Sequence, residues 1–341
     1  MKAILSIDGG GVRGILPASI VAHIERRVQQ KSGNSNARIA YCFDLFGGTS
    51  AGGILTALYL TPSSPTSKTP KYSATQILEL YSQMAPQIFS KKIEYRLRSG
   101  FGLFGSRYNK ETLYRLSKEI IGDSLLSEAL AESLITAYDL SNRKALLFTK
   151  NSTRKYGDMA DYRLRDIACA TSAAPSYFAP ANIKAKDGGK RHLIDGGIYA
   201  SNPTMCTLVD AFKIWPNTGL DQIYLLSLGC GKVVKPYHPH RTKRFGYIHW
   251  LNPVLDLLIS SVAETTDHQV MQLFRLAHSS QNYIRVEPSI LNASSRIDNA
   301  KPENMRRLLA AAGNWIDHNG VLIEEISNTL VEKLSKKELY S

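Results

Sequence analysis

Short apolar runs that end in glycine, each followed by a helical pattern, dominate the first part of the chain. Ile4-Leu5-Ser6-Ile7 passes through Asp8-Gly9-Gly10-Gly11-Val12-Arg13-Gly14 into the amphipathic stretch Ile15–Val21. Tyr41–Phe46 passes through Gly48-Thr49-Ser50-Ala51-Gly52 into Ile54–Leu60. A strand feeding a helix through a tight turn is the building unit of a parallel sheet covered on both faces. Helical periodicity then predicts helices over about 74–89 and 109–121, and a small-residue helix over Leu164–Ala174. Strands are expected at Ser133–Leu140, at Ala145–Thr149, and in the short run His192-Leu193-Ile194 that ends at Asp195. Gln222–Gly229 is apolar almost throughout, which suits a strand buried on both faces. After 244 the pattern turns helical, with one late strand at Asn282–Glu287 and one or two helices in Lys301–Lys337. Thr61–Pro70 is a polar, proline-rich loop. No repeat or linker divides the chain. The expectation is one α/β domain over 1–341, a three-layer α/β/α arrangement around a mainly parallel central sheet.

Composition narrows the classes. A hydrophobic content of 43% in 341 residues suits a packed core rather than disorder. No apolar run approaches the roughly 20 residues of a spanning helix. The four-residue apolar run after Met1-Lys2 is too short for a secretory signal, so a cytoplasmic protein is expected. Cys42, Cys169, Cys206 and Cys230 lie far apart without C-x-x-C pairing, and read as reduced residues rather than disulfides or a metal site. The net charge of +13 favours anionic partners. Its sharpest concentration is Ser90–Arg98, followed by the Gly/Phe/Leu-containing Ser99–Tyr108, which suits either peripheral contact with an anionic membrane surface at its inner face or a loop packed over the core. No nucleic-acid module accompanies the charge, and no nucleic-acid partner is expected.

Ser50 stands between a strand and a helix with small neighbours on both sides, the setting of a nucleophile elbow. Gly48, Thr49, Ala51 and Gly52 would form the turn. The glycines at 9, 10, 11 and 14 leave main-chain amides free to converge on an anion, as in an oxyanion hole. Asp195 is a carboxylate at a strand end, followed by Gly196 and Gly197, which let another group come close. Gly9-x-Gly11-x-x-Gly14 also matches a dinucleotide fingerprint, but Glu25, the acidic residue near the required distance, falls within a helical stretch with no strand between.

In order and spacing, Asp8–Gly14, Gly48–Gly52 and Asp195-Gly196-Gly197 together resemble the patatin-like phospholipase family. Ala170–Phe178 and Ala137–Arg143 reinforce the resemblance, which runs from residue 3 to about 315. It implies a patatin-like fold and a lipid acyl hydrolase with a Ser–Asp dyad, no catalytic histidine and no cofactor. Ser50 would be the nucleophile, Asp195 its partner, and Gly9, Gly10, Gly11, Arg13 and Gly14 the oxyanion loop. Phospholipid or lysophospholipid would be the substrate. Some bacterial relatives are phospholipase effectors switched on by cyclic nucleotides during anti-phage defence, so a cyclic-nucleotide activator belongs among the implied partners, although no nucleotide-sensing motif is recognisable.

The residues support such chemistry directly. A serine hydroxyl needs a base within hydrogen-bond reach. A carboxylate of ordinary pKa near 3.9 is a weak one, and burial would strengthen it. Attack on an ester would form an acyl-Ser50 intermediate that water hydrolyses. Arg13 suits an oxyanion or a substrate phosphate, or else nearby carbonyls or a surface ion pair. Ser172 reads as a packing residue. Two alternatives stand beside the dyad. One is a Ser-His-Asp triad using His238, His240, His249, His268, His278 or His318. The other is a lipid- or nucleotide-binding module without catalysis.

Overall fold

The computed structural model describes residues 1–90, 105–233, 238–243 and 245–338. Its sheet contains β1 (Lys2–Ile7), β2 (Leu45–Gly48), β3 (Glu132–Asp139), β4 (Lys144–Thr149), β5 (Ala181–Lys184), β6 (Lys190–Asp195), β7 (Ile223–Leu228) and β8 (Tyr283–Val286). The main helices are α1 (Ile15–Ser32), α2 (Ala51–Leu60), α3 (Ala74–Ile88), α4 (Lys110–Ile121), α5 (Leu164–Thr171), α6 (Thr204–Ile214), α7 (Tyr247–Leu276), α8 (Pro302–His318) and α9 (Gly320–Glu338). The strand order is β5-β6-β3-β2-β1-β7-β8, with β4 also paired to β3. β3, β2, β1, β7 and β8 run parallel, whereas β4 and β6 are antiparallel to β3 and β5 to β6.

Alternation along the strands builds two apolar layers. In β1, Leu5 and Ile7 join the core on one face and Ile4 the core on the other; in β7, Tyr224, Leu226 and Leu228 oppose Ile223 and Leu225. The first layer is closed by Ile20, Ile24 and Val28 of α1, Leu308 of α8 and Leu330 of α9. The second is closed by Leu208 of α6 with Val270 and Phe274 of α7. Each large side chain so buried is worth about 1.5–3 kcal/mol, and covering both faces is why β7 reads as one continuous apolar run. None of the described helices is long and apolar enough to cross a membrane.

The register of β3 decides where the chemistry sits. β4 occupies one edge of β3 from Leu134 to Asp139. The other edge is shared. β2 pairs along Glu132–Ile135 and stops with Gly48 opposite Ile135; β6 arrives from the opposite direction and stops with Asp195 opposite Ala137. The ends of β2 and β6 therefore meet head to head, separated on β3 by Thr136.

Three local expectations are revised. The apolar run Tyr41–Phe46 is not one strand: Ile39–Cys42 forms a helical turn and β2 begins at Leu45. The buried Glu25 carboxylate accepts the Ile39 amide (2.7 Å) at the start of that turn, and Asp44 crosses to the Ala3 backbone before pairing begins. The helix from Leu164 ends at Thr171, short of Ala174, and the short alternation Ala181-Asn182-Ile183-Lys184, which no expected strand covered, forms β5 with Ile183 in the core.

Candidate active site

Ser50 joins β2 to α2 with φ 52° and ψ −117°. A side-chain-bearing residue held there costs about 1–3 kcal/mol, so the surroundings must enforce it. A Cβ on Gly48 would overlap the Gly52 carbonyl, and one on Gly52 would overlap the carbonyl of Ile7. The Ser50 amide donates to Thr171 Oγ1 (2.9 Å). The Thr49 hydroxyl donates to the Ala200 carbonyl (2.6 Å) and so accepts from Thr136 Oγ1 (2.7 Å). Thr49 thus ties the turn to the segment that follows Asp195, beyond the place in the turn that its sequence position suggested. Because α2 starts at Ala51, the positive end of a helix dipole adjoins the Ser50 hydroxyl.

Asp195 closes β6 and is 5% exposed. Burial pushes its carboxyl up to about 6, opposed by hydrogen bonds from the Ser50 hydroxyl and from the Gly197 amide to Oδ1 (2.7 Å). Its own amide donates to the Ala173 carbonyl (3.1 Å), and Gly196 lies against Thr136, where a Cβ would overlap the hydroxyl. The Ser50 side chain thus lies close enough to the Asp195 carboxyl to lower its pKa, and both line one cavity although they are 145 residues apart in sequence.

In the glycine loop most amides are committed. Those of Gly9, Val12 and Arg13 donate to the carbonyls of Ser201 (2.8 Å), Ile297 (2.9 Å) and Gly10 (3.1 Å). Among the described residues the amides of Gly10 and Gly11 have no protein acceptor, and both residues line the Ser50 cavity. Gly11 has φ 55°, and a Cβ there would overlap the Ile297 carbonyl. Gly14 packs instead against Tyr81 and Ala51. The placement of Arg13 corrects the oxyanion expectation for its side chain. Its amide closes a tight turn onto Gly10, its Nη1 donates to the Gly231 carbonyl (3.4 Å), and it lines a separate polar cavity with Asp8, Cys230 and Arg285. Of the uses considered for Arg13, satisfying a nearby carbonyl is the one observed.

The start of that loop is held by an ion pair the sequence did not announce. Arg285 of β8 grips both Asp8 oxygens (3.0 and 2.6 Å), donates to Ser227 Oγ (2.8 Å) and contacts Glu287. Burial pushes the Asp8 carboxyl up to about 6 even though Arg285 pulls it down.

The cavity over Ser50 and Asp195 has a volume of about 390 Å³ and is walled by Pro253, Leu258, Ile259 and Ile297, with Arg107 and Arg296 as its basic lining residues. A narrower apolar cavity also reaches Ser50 and is lined by Ile54, Met84, Ile88, Phe89, Leu113 and Phe178. Tyr81 borders it and donates to the Gly11 carbonyl (2.7 Å). Ser172 lines this narrower space, its buried hydroxyl without a partner among the described residues.

Among the described residues no histidine lines either cavity. His238 stacks on His240, His249 lies against Phe245, and His318 donates from Nδ1 to the Asn314 carbonyl. Glu25, the acidic residue of the dinucleotide alternative, is spent inside α1 on the amides of Ile39 and Ala74 (2.7 Å each). The basic stretch expected at a membrane surface falls largely on residues 91–104, outside the described residues. Arg296 and Ile297 escaped the sequence analysis because they stand in a segment with no glycine turn or strand end to mark them, whereas Arg107 belongs to the Gly/Phe/Leu-containing Ser99–Tyr108 expected at a membrane surface or over the core.

A family model described as patatin-like phospholipase matches residues 5–207. Patatin-like protein 2 of Oryza sativa subsp. indica is 32% identical over 350 residues, 94% of this chain and 84% of that protein. Patatin-04/09 of Solanum tuberosum is 32% identical over 327 residues, covering 91% and 82%. A protein of the same species named probable inactive patatin-3-Kuras 1 is 30% identical over 333 residues, covering 93% and 86%. With its three glycine-bearing motifs drawn into one cavity and its likeness to these relatives extending over more than nine-tenths of its length, this chain belongs to the patatin-like phospholipase family, a family of lipid acyl hydrolases.

Proposed function

We propose that the chain, acting as one unit over 1–341, hydrolyses fatty-acyl esters of phospholipids or lysophospholipids through a Ser50–Asp195 dyad. The observation that carries this reading is the convergence of a Ser50 held at positive φ and a buried Asp195 on one cavity, close enough for the serine to lower the pKa of the carboxyl. Family membership alone does not decide activity, since one relative bears the name probable inactive; here both members of the dyad are present and line one cavity.

Asp195 takes the hydroxyl proton as Ser50 Oγ attacks the ester carbonyl, and the carbonyl oxygen becomes an oxyanion facing the Gly10 and Gly11 amides. Losing one such donor typically costs about 2.7–4 kcal/mol. Collapse breaks the ester bond, and the departing alcohol takes the proton back from Asp195. Water then donates a proton to Asp195 and attacks acyl-Ser50, releasing the fatty acid and restoring the hydroxyl. A carboxyl raised to about 6 is a stronger base than an ordinary aspartate yet remains mostly ionised at neutral pH. The apolar wall of the wide cavity, Pro253, Leu258, Ile259 and Ile297, suits the acyl chain, for which the narrower cavity, at about 40 Å³, has too little room. Val254, Leu257 and Leu258 are exposed on α7 next to the cavity wall, which supports a peripheral position on a membrane surface.

The test is lipid mass spectrometry of phospholipid vesicles incubated with wild type and with Ser50→Ala, alongside labelling by a serine-directed fluorophosphonate. Fatty acid release and labelling that both disappear in the variant are expected. Label on a residue other than Ser50, or wild-type protein that neither labels nor releases fatty acid, would overturn the proposal.

A further inference from the structure

The wide cavity is walled by apolar groups on the α7 side and by two guanidinium groups on the other. Arg107 and Arg296 come from distant segments and converge on one buried carboxylate, Asp298, whose side chain is 1% exposed. Arg296 takes both oxygens, Nε to Oδ1 at 3.0 Å and Nη2 to Oδ2 at 3.1 Å. Arg107 Nη1 stands 3.6 Å from Oδ2, and the Tyr108 hydroxyl donates to the same oxygen (2.9 Å). Burial alone would raise the Asp298 pKa, but the bonds from Arg296 and Tyr108 outweigh it and hold the carboxylate below its ordinary range. Two fixed positive charges therefore share one negative charge, and the cluster keeps an excess of +1.

The arginines are also held in place. The Arg107 guanidinium lies over the Tyr177 ring at 5.0 Å, and Tyr177 lines both the wide and the narrow cavity. Arg296 precedes Ile297, whose carbonyl accepts the Val12 amide and thereby fixes Arg296 relative to the glycine loop. The fork of Arg296 binds Asp298 through Nε and Nη2; its Nη1 has no acceptor among the described residues, and the side chain is 60% exposed at the mouth. Guanidinium groups match the geometry of phosphate oxygens.

We infer that Arg107 and Arg296, braced on Asp298, form a phosphodiester subsite that holds the headgroup of a phospholipid while its acyl ester lies over Ser50. As a statement about substrate choice the inference rests on the hydrolase reading; as a binding site it does not. It divides the wide cavity by chemistry: the apolar side formed by Pro253, Leu258 and Ile259 takes the acyl chain and the side bearing Arg107 and Arg296 takes the headgroup. It makes a glycerophospholipid a better substrate than a neutral acylglycerol of the same chains.

Two measurements separate this subsite from the hydrolase reading. In nonionic mixed micelles, kcat/KM is determined for dioleoylphosphatidylcholine and for dioleoylglycerol with wild type, Arg296→Lys and the double variant Arg107→Gln/Arg296→Gln. The phospholipid-to-neutral ratio is expected to fall about tenfold for each arginine neutralised, the cost of one charge-assisted hydrogen bond, mainly through KM, with Arg296→Lys intermediate. If the arginines only brace the loop around Asp298, both substrates lose rate by the same factor and the ratio stays constant, which overturns the inference and leaves the hydrolase reading intact. Calorimetric titration of Ser50→Ala with monomeric dodecylphosphocholine needs no turnover. Binding that is lost in the triple variant carrying both glutamines supports the subsite even if no ester is cleaved, and unaltered binding overturns it. Inorganic phosphate binding as tightly as dodecylphosphocholine would reassign the site to free phosphate and overturn the headgroup assignment.

Discussion

Asp195→Asn should abolish ester hydrolysis and at the same time make the protein more stable at neutral pH. The carboxyl is buried without a cationic partner among its neighbours, and burial lifts its pKa from 3.8 to about 6. The folded state therefore binds this proton more tightly than the unfolded state between those two values. The stabilisation from protonated Asp195 is complete below pH 3.8 and is lost as pH rises through about 6. Above pH 6 the ionised group costs about 3 kcal/mol, at 1.36 kcal/mol per pKa unit. An asparagine keeps an acceptor for the Ser50 hydroxyl and the Gly197 amide but introduces an amino group that needs a partner, so a net gain of about 1–3 kcal/mol is expected. With an unfolding entropy of about 2.1 cal/mol/K per residue over the chain, that gain is about 1–4 °C in Tm. Calorimetric melts of wild type and variant at half-unit steps from pH 4 to pH 8 provide the assay. The difference should be largest above pH 6 and shrink toward pH 4. A variant less stable than wild type at pH 7.5, or a gap that does not change with pH, would refute the argument that a desolvated catalytic carboxylate is held at a cost.

The same carboxyl predicts a pH–rate profile for a short-chain activated ester in which kcat/KM falls tenfold per unit below about pH 6, because the base must be ionised in the free enzyme; a flat profile between pH 4.5 and 7 would exclude Asp195 as that base. Gly52→Ala places a methyl group in the Ile7 carbonyl, so loss of soluble folded protein or a Tm drop of several degrees is expected by circular dichroism. Thr49→Val removes the bonds to Ala200 and Thr136 that join the elbow to the Asp195 segment; about 1–3 kcal/mol of stability should go, with kcat reduced more than KM in steady-state assays. Arg285→Met strands Asp8 as a buried unpaired charge, and denaturant titration should show a loss of about 3–5 kcal/mol at pH 7.5 that narrows at pH 5 as Asp8 takes up a proton.

Much of this molecule is legible in local sequence. Glycines at 11, 48 and 52 mark the places where a backbone must pass close to another backbone, and the apolar runs at 4–7 and 223–228 mark strands covered on both faces, because local sterics and hydrophobic periodicity act within a few residues. Sequence alone therefore determined the α/β architecture, the strained turn that presents Ser50 and the glycine cradle before α1. Tertiary structure decided the rest. Ser50 meets Asp195 because β2 and β6 run out head to head on one edge of β3, a register set by pairing between strands far apart in the chain. Arg13 turns away from the cavity because its amide closes onto Gly10, while Arg107 and Arg296 enter it because a buried Asp298 gathers them. Nothing in the residues flanking these groups encodes their meeting. Long-range charge pairing and strand register are properties of the assembled sheet, and they chose which polar groups face the reaction.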